Sequence, residues 1–378
     1  MKRFSILLIA TIGLIFLLNY CHKDSNLTVK LNSAIYDSLK LSADTKIIQL
    51  ETTKDCNLGM IHKTNVDDNR IFIASDFNLL IFDGTGKFIT KLNQGKGPKE
   101  ITRLTTFSLN KEKKLIYAVD MASNIVVIDY NGNVIDKFSI RDFCSIDIFC
   151  LDENNLLLLN NWVGHSEKNF VGKYNLTENS ITEKYINSKE SSYPINTLIT
   201  TKNFSRWNGD LYFYTPNVFS LFKYANNDFT KVISFDIEER FIPKSLFSQF
   251  QTQNRNMFRE ETKNKGYTPF LLYAFPFDDF YLVGLDDKEY SCYAVNKDNF
   301  QNIYKNGPIS TYFGLPRVRS LRSPSALQDD CIIFVCNPMD FFENEPDEKN
   351  KEINIGKYHF DINYNDNPLI IVISNKKQ

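Results

Sequence analysis

Short polar clusters alternate with short apolar runs along most of this chain. The clusters Asp67–Asn69, Lys111–Lys114, Asp152–Asn155, Asn208–Asp210, Asp278–Asp279 and Gln328–Asp330 each precede an apolar run. Those runs begin at Ile71, Leu115, Leu156, Leu211, Tyr281 and Ile332. A second run follows each one: LLIFD, NIVVIDY, NFVGKYN, FSLFKY, YSCYAV and PLIIVIS. Behind several of these comes another turn, at Asp83–Gly86, Tyr130–Gly132 and Ala225–Asn227, and then a third run such as KFITKL or NVIDKFS. Asp-Gly and Asn-Gly pairs suit tight hairpins, which need positive φ. Asp83, Asp129 and Asn175 recur 46 residues apart, the length of one four-stranded propeller blade. Six such units predict an all-β fold, a six-bladed β-propeller.

The strand KIIQLET, Lys46–Thr52, has no hairpin mate nearby and is expected to complete the blade formed by the C-terminal IIVIS segment. A ring of blades hides its edges in this way. Two stretches break the rhythm. Between the fourth and fifth units, Pro243, Leu246, Phe247, Phe250, Met257 and Phe258 give roughly helical spacing, which predicts a helical insertion at about 242–266 in one blade. The run ENEPDEKNKE, Glu343–Glu352, reads as a solvated acidic loop.

Composition agrees with a globular β protein. The chain has 378 residues, 43% hydrophobic and 24% charged, with 31 Phe and 19 Tyr; the aromatic excess favours strands. The net charge of −1 gives no reason to expect a nucleic-acid partner. The N-terminus carries Lys2 and Arg3 before the apolar FSILLIATIGLIFLL, the pattern of an export signal. That run is short for a membrane span. It ends in LNYC, which resembles a bacterial lipobox with Cys21 as the lipidation site, although Tyr20 stands where a small residue is usual. The expected organisation is a signal peptide over 1–20, a tether over 21–40 and the propeller over 41–378. A lipid on Cys21 makes the membrane a partner and places the protein in the cell envelope, as an outer-membrane lipoprotein facing the periplasm or the outside. The six remaining cysteines are expected to be free and buried, since a domain of this size needs no staples.

The loop NQGKGPKE, Asn93–Glu100, joins one blade element to the next. With LETT near Leu50 and LLIFDGTGKFITKL before it, this stretch resembles the six-bladed β-propeller lipoproteins of Bacteroidota-type bacteria. Phe82, Asp83, Gly86, Lys87, Phe88 and Ile89 match that family's strand pair. Gly95, Gly97, Pro98 and Glu100 match its turn, with Lys99 where Gly is usual. The C-terminal NDNPLIIVI also resembles the family's ending, and the repeats are similar to NHL-type propellers. The resemblance implies the fold and leaves function open, because the family is largely uncharacterised.

Catalytic patterns are sparse. His22, His62, His165 and His359 are scattered, with no zinc spacing. GTGKF at Gly84 lacks the P-loop pattern, GHSEK at Gly164 lacks the closing Gly of a nucleophile elbow, and DDKEY at Asp286 is too short for an EF-hand. No cofactor is expected. From Asn299 to Gln328 there is no acidic residue, and Lys305, Arg317, Arg319 and Arg322 are candidates for an acidic ligand. The plainer reading pairs these arginines with the acidic loop. Trp162 and Trp207 are candidates for stacking on a sugar, against the plainer reading as core. The leading function is therefore a non-catalytic binding module for a protein, peptide or glycan. The rival is a lactonase, hydrolase or lyase with calcium or another divalent metal in the central channel, where Asp76 and Asp120 could point inward; the plainer reading makes them turn acids. A third reading is a structural subunit of an outer-membrane complex.

Overall fold

The computed structural model describes residues 27–36, 39–67, 69–140, 143, 145–160, 168–190, 202–246, 255–343 and 349–375. Three N-terminal strands come first: β1 (Thr28–Lys30), β2 (Ile35–Tyr36) and β3 (Ala43–Gln49). Blade 1 follows as β4 (Ile61–Asp67), β5 (Arg70–Ser75), β6 (Asn78–Asp83) and β7 (Phe88–Lys91). Blade 2 is β8 (Leu104–Asn110), β9 (Leu115–Asp120), β10 (Asn124–Asp129) and β11 (Val134–Ser139). Blade 3 is β12 (Ser145–Cys150), β13 (Asn155–Asn160), β14 (Asn169–Asn175) and β15 (Ser180–Asn187). Blade 4 is β16 (Phe204–Trp207), β17 (Asp210–Thr215), β18 (Val218–Ala225) and β19 (Asp228–Asp236). The single described α-helix, α1 (Arg255–Asn264), precedes blade 5, which is β20 (Leu271–Phe277), β21 (Phe280–Leu285), β22 (Cys292–Asn296) and β23 (Ile303–Asn306).

Blade 6 is built from both ends of the chain. Its strands β24 (Ala326–Gln328) and β25 (Cys331–Cys336) are followed by a projecting hairpin, β26 (Asn350–Ile355) and β27 (Tyr358–Asn363), and then by β28 (Leu369–Asn375). The outermost strand of that blade is β3, paired along its length from Leu369–Gln49 to Asn375–Ala43. The lone strand at Lys46 thus closes the ring as its pattern suggests.

The apolar runs are continuous rather than alternating because each blade is packed on both sides. In β5, Ile71 and Ile73 face blade 6 while Phe72 and Ala74 face blade 2. In β10, Ile125 and Val127 face blade 3 while Val126 and Ile128 face blade 1. The period-two pleat sends successive side chains to opposite gaps, and both gaps are dry. Outer strands, with a solvated side, alternate: Phe88, Ile89, Thr90 and Lys91 are by turns half-buried and exposed.

Antiparallel order gives every blade two ends. The turns between first and second and between third and fourth strands form one face of the ring, here the lower face. The turns between second and third strands and the connections between blades form the upper face. The helical insertion lies in the connection from blade 4 to blade 5. A 3₁₀ turn occupies Lys244–Leu246 and the helix begins only at Arg255; residues 247–254 lie outside the described residues. Arg259 donates two bonds to the carboxylate of Asp286, which is fully buried, and Lys263 approaches it at 3.4 Å. These bonds dock the helix on blade 5.

Two expectations change in detail. The stretch 21–40, expected as a tether, contributes from Leu27 onward to the rim: β1 and β2 add as parallel fifth strands to the outer edges of blades 4 and 5. Val29 and Leu31 are buried there, and this apolar contact is what a polar tether lacks. The acidic run 343–352 is not wholly a loop. Asn350, Lys351 and Glu352 pair in register with Asn363, Ile362 and Asp361, so its end is the first half of the hairpin; residues 344–348 lie outside the described residues.

Candidate functional site

The axis of the ring is lined by the innermost strands, which read as polar-interrupted segments. Four of them share one irregularity. The pairing of first with second strand shifts between Ile61 and Lys63, Leu104 and Thr106, Ser145 and Asp147, and Leu271 and Tyr273. A bulge re-aims the residue that follows it. In blades 1, 2 and 3 the re-aimed residues meet. Lys63 Nζ lies 2.6 Å from Asp147 Oδ1, with both side chains almost fully buried. Thr106 Oγ1 donates to the same oxygen at 3.1 Å, as does the Ile148 N–H at 2.9 Å, and the Asn203 N–H donates to Asp147 Oδ2 at 3.1 Å. Blades 1, 2, 3 and 4 are thereby tied together at the centre.

Below this cluster, at the lower mouth, lies a cavity of about 410 Å³, within the range of small-ligand sites. Asn65, Ser108, Cys150, Phe204, Arg206 and Gln328 line it together with Lys63. Gln328 seals the seam between blades 6 and 1: its amide accepts from the Val66 N–H at 2.8 Å and donates to the Val66 carbonyl at 2.9 Å. Asn65 is 7% exposed, and among the described residues its amide meets no hydrogen-bond partner. Arg206 donates to the Leu151 carbonyl at 3.2 Å and lies over the Phe149 ring, while its Nε is buried without a partner. No carboxylate of the described residues pairs with it.

Of the four acids that line the mouth, Glu112 pairs with no described residue and the other three are engaged. Asp152 accepts from the N–H groups of Asn154 and Asn155, Glu153 pairs with Lys113 at 3.1 Å, and Asp329 pairs with Lys111 at 2.8 Å. Cys150 is the one cysteine on the wall. Burial, and then the nearby Asp152, push its thiol up to about 11, so it is protonated near neutral pH and is a poor nucleophile. Among the described residues, no group of three or more metal-ligating side chains gathers at the axis. Asp147 is the carboxylate there, and its oxygens are taken by Lys63, Thr106 and two backbone N–H groups. Asp76 and Asp120 do not reach the axis cluster. Asp76 accepts from the Met60 N–H, and Asp120 accepts from the Ala122 and Asn124 N–H groups and pairs with Lys137. Both are turn acids.

On the upper side of the same inner strands, Lys202 donates to Ser323 Oγ and to the Pro324 carbonyl at 2.6 Å each. No carboxylate of the described residues faces it, and burial lowers its pKa to about 7.

The residues expected from sequence fall elsewhere. Trp207 is 2% exposed, stacked on Phe275 and edge-on to Phe277; it belongs to the core between blades 4 and 5 and presents no face to a sugar. Arg317, Arg319 and Arg322 are exposed on the upper side. Arg319 opens a 3₁₀ turn, ending the extended stretch at Val318, and Arg322 lies 5.0 Å from the Tyr290 ring centre. Lys305, in the outer strand of blade 5, pairs with Glu289 at 3.3 Å. The structure does not bring these four to the lower cavity. Trp162 and Cys21 lie outside the described residues. The Gly95–Glu100 turn closes on itself: Glu100 accepts from the Gly97 N–H at 2.8 Å, and a Cβ on Gly95 would collide with that carboxylate. Cysteines 56, 150, 292, 331 and 336 are free. Sequence reasoning missed Lys63, Asp147, Asn65 and Arg206, because a polar residue inside an unrecognised inner strand looks like a loop residue. It also missed Glu352, His359 and Asp361, which the projecting hairpin gathers within 4.8 Å of one another, all exposed.

A family model described as a domain of unknown function (DUF4934) matches residues 27–374. Among proteins of curated function, none matches this chain. The chain is similar in structure to a crystal structure from Bacteroides fragilis of a protein named as a candidate exported protein. The TM-score is 0.69 at 14% identity, covering 93% of this chain and 99% of the other. A weaker likeness, with a TM-score of 0.42 at 11% identity, is to the extracellular domain of a hybrid two-component system from B. thetaiotaomicron; it covers 84% of this chain and 34% of that one.

Proposed function

We propose, from the premise that this chain belongs to the DUF4934 family, that it is an exported cell-envelope protein that binds a small acidic ligand without transforming it. The lower cavity is the binding site, and the ligand class is a carboxylated sugar or a peptide carboxylate. A lipid on Cys21 would hold the protein at the membrane, as the lipobox-like LNYC suggests, with the outer membrane as the expected address. The similar B. fragilis protein, named as a candidate exported protein, supports export. One observation carries the ligand reading: the Asn65 amide and an Arg206 guanidinium that faces no carboxylate among the described residues line the same cavity. A guanidinium takes a carboxylate through two parallel bonds, and an amide offers both a donor and an acceptor. The protonated Cys150 thiol and the occupied oxygens of Asp147 support binding over catalysis.

Calorimetric titration tests this. The chain from His22 onward retains every described strand. Titrated with an oligogalacturonate, its neutral counterpart and a short peptide with a free C-terminus, it is expected to bind an acidic ligand and ignore the neutral one. Arg206→Met and Asn65→Ala should each weaken that binding by about tenfold or more, about 1.4 kcal/mol. Equal affinity for the neutral sugar, or full affinity in both variants, would overturn the assignment.

A further inference from the structure

On the upper face, opposite the cavity, apolar side chains stand in water over blades 1 and 2. Met60 is 69% exposed, Phe77 36% and Met121 58%. Backbone bonds set them side by side. The Asp76 N–H donates to the Met60 carbonyl, the Leu104 N–H to the Phe77 carbonyl, and the Met121 N–H to the Arg103 carbonyl. The guanidinium of Arg103 lies 4.8 Å from the Phe77 ring centre, and the His62 ring packs against Phe77 at 5.3 Å.

Phe77 is also in the wrong conformation for its type. The turn Asp76-Phe77 joins β5 to β6 with φ of 47° and 64°, both left-handed. Such a turn prefers Asn-Gly, and a bulky residue at positive φ is strained. Phe77 holds that conformation with 36% of its surface still in water, and strain of this kind clusters at functional surfaces. Methionines beside it suit a surface that adapts to a partner.

We propose that this patch docks an acidic protein segment that carries apolar side chains. Charge selects the partner. Lys96, Lys99 and Arg103 are exposed and form no ion pair with any described residue. The acids among them are turned back on the backbone: Asp76 accepts from the Met60 N–H and Glu100 from the Gly97 N–H. Three cations stand against these two carboxylates, so the net charge of the patch is positive, around an apolar centre.

The test uses the full chain in detergent micelles and short synthetic peptides in which Glu or Asp alternates with Leu and Phe. Basic and neutral peptides of the same apolar content serve as controls, and binding is read by fluorescence anisotropy. The acidic peptides are expected to bind, with affinity falling as salt rises from about 0.05 to 0.3 M. Phe77→Gly and Arg103→Glu should each weaken binding by about tenfold or more. Phe77→Gly should at the same time leave the melting temperature unchanged or raised, because glycine relieves the left-handed strain; a purely structural phenylalanine would lower it. The proposal is overturned if no acidic peptide binds, if basic peptides bind equally, or if both variants bind as the wild type does. Self-association abolished by Phe77→Gly would assign the patch to a second copy instead. Binding to phosphatidylglycerol vesicles without peptide binding would assign it to a lipid surface.

Discussion

Lys63 and Asp147 form a buried ion pair whose value depends on both partners being present. Removing one leaves a bare charge in a dry setting, at a cost of roughly 3–5 kcal/mol. Lys63→Met should therefore lower the urea-unfolding free energy by about that amount. Lys63→Met combined with Asp147→Leu should recover much of the loss; no recovery would mean that Asp147 is held chiefly by Thr106 and the backbone. Lys202 supplies a second test. Its folded pKa, about 7, lies below the usual 10.5. Between these values the unfolded chain holds more protons, so stability contributed by this group rises with pH from about 7 to 10.5 and is flat below 7. The stability difference between wild type and Lys202→Met should follow that rise, at most about 1.4 kcal/mol per pH unit. A pH-independent difference would show that the ammonium stays charged. None of these residues declares itself in the sequence. HKTNVD and SIDIFC carry no spacing rule, because the contacts are made between blades and depend on bulges that leave no residue signature.

At the scale of elements, legibility followed the packing. Second and third strands were readable because both of their faces are buried, which turns RIFIAS, LIYAVD and NIVVID into continuous apolar runs. First strands were not, since one side meets the polar axis: Thr106, Ser108 and Asn110 are buried polar positions within β8. The closing strand was legible as an apolar run without a mate, whereas β1 and β2 are too short for any periodicity. Their different weights can be measured. Deleting residues 27–36 removes two parallel fifth strands and should lower the melting temperature while a single cooperative transition persists. Truncation after Asn367 removes β28, the partner of both β25 and β3, and should abolish the cooperative transition in a circular-dichroism melt. Equal effects from the two deletions would contradict ring closure by β3.

Taken whole, the ring has two faces with different chemistry. The lower mouth holds a cavity with an unpaired guanidinium, and the upper face exposes methionine, phenylalanine and lysine at its surface. The first part of the family motif, Asp83 to Phe88, turns at the lower face but lines no part of the cavity. Gly86 sits at a φ of 95° against the exit of β3, where its carbonyl accepts from the Glu51 N–H and Glu51 in turn accepts from the Phe88 N–H. The motif therefore locks blade 1 to the closing strand. This part of the motif is a signature of fold, and the residues that line the cavity lie outside it, which is why the fold could be read from sequence while the cavity could not.

The rim segment also bears on how the molecule meets mechanical load. A pull on the N-terminus reaches β1, with three paired residues, then β2, with two, before it reaches β3, with seven. The two short pieces should separate first and release residues 28–36, about 30 Å of extended chain, while the ring stays shut. In a single-molecule extension experiment this slack would appear as a small early step ahead of the main rupture, a fuse placed between any anchor and the propeller.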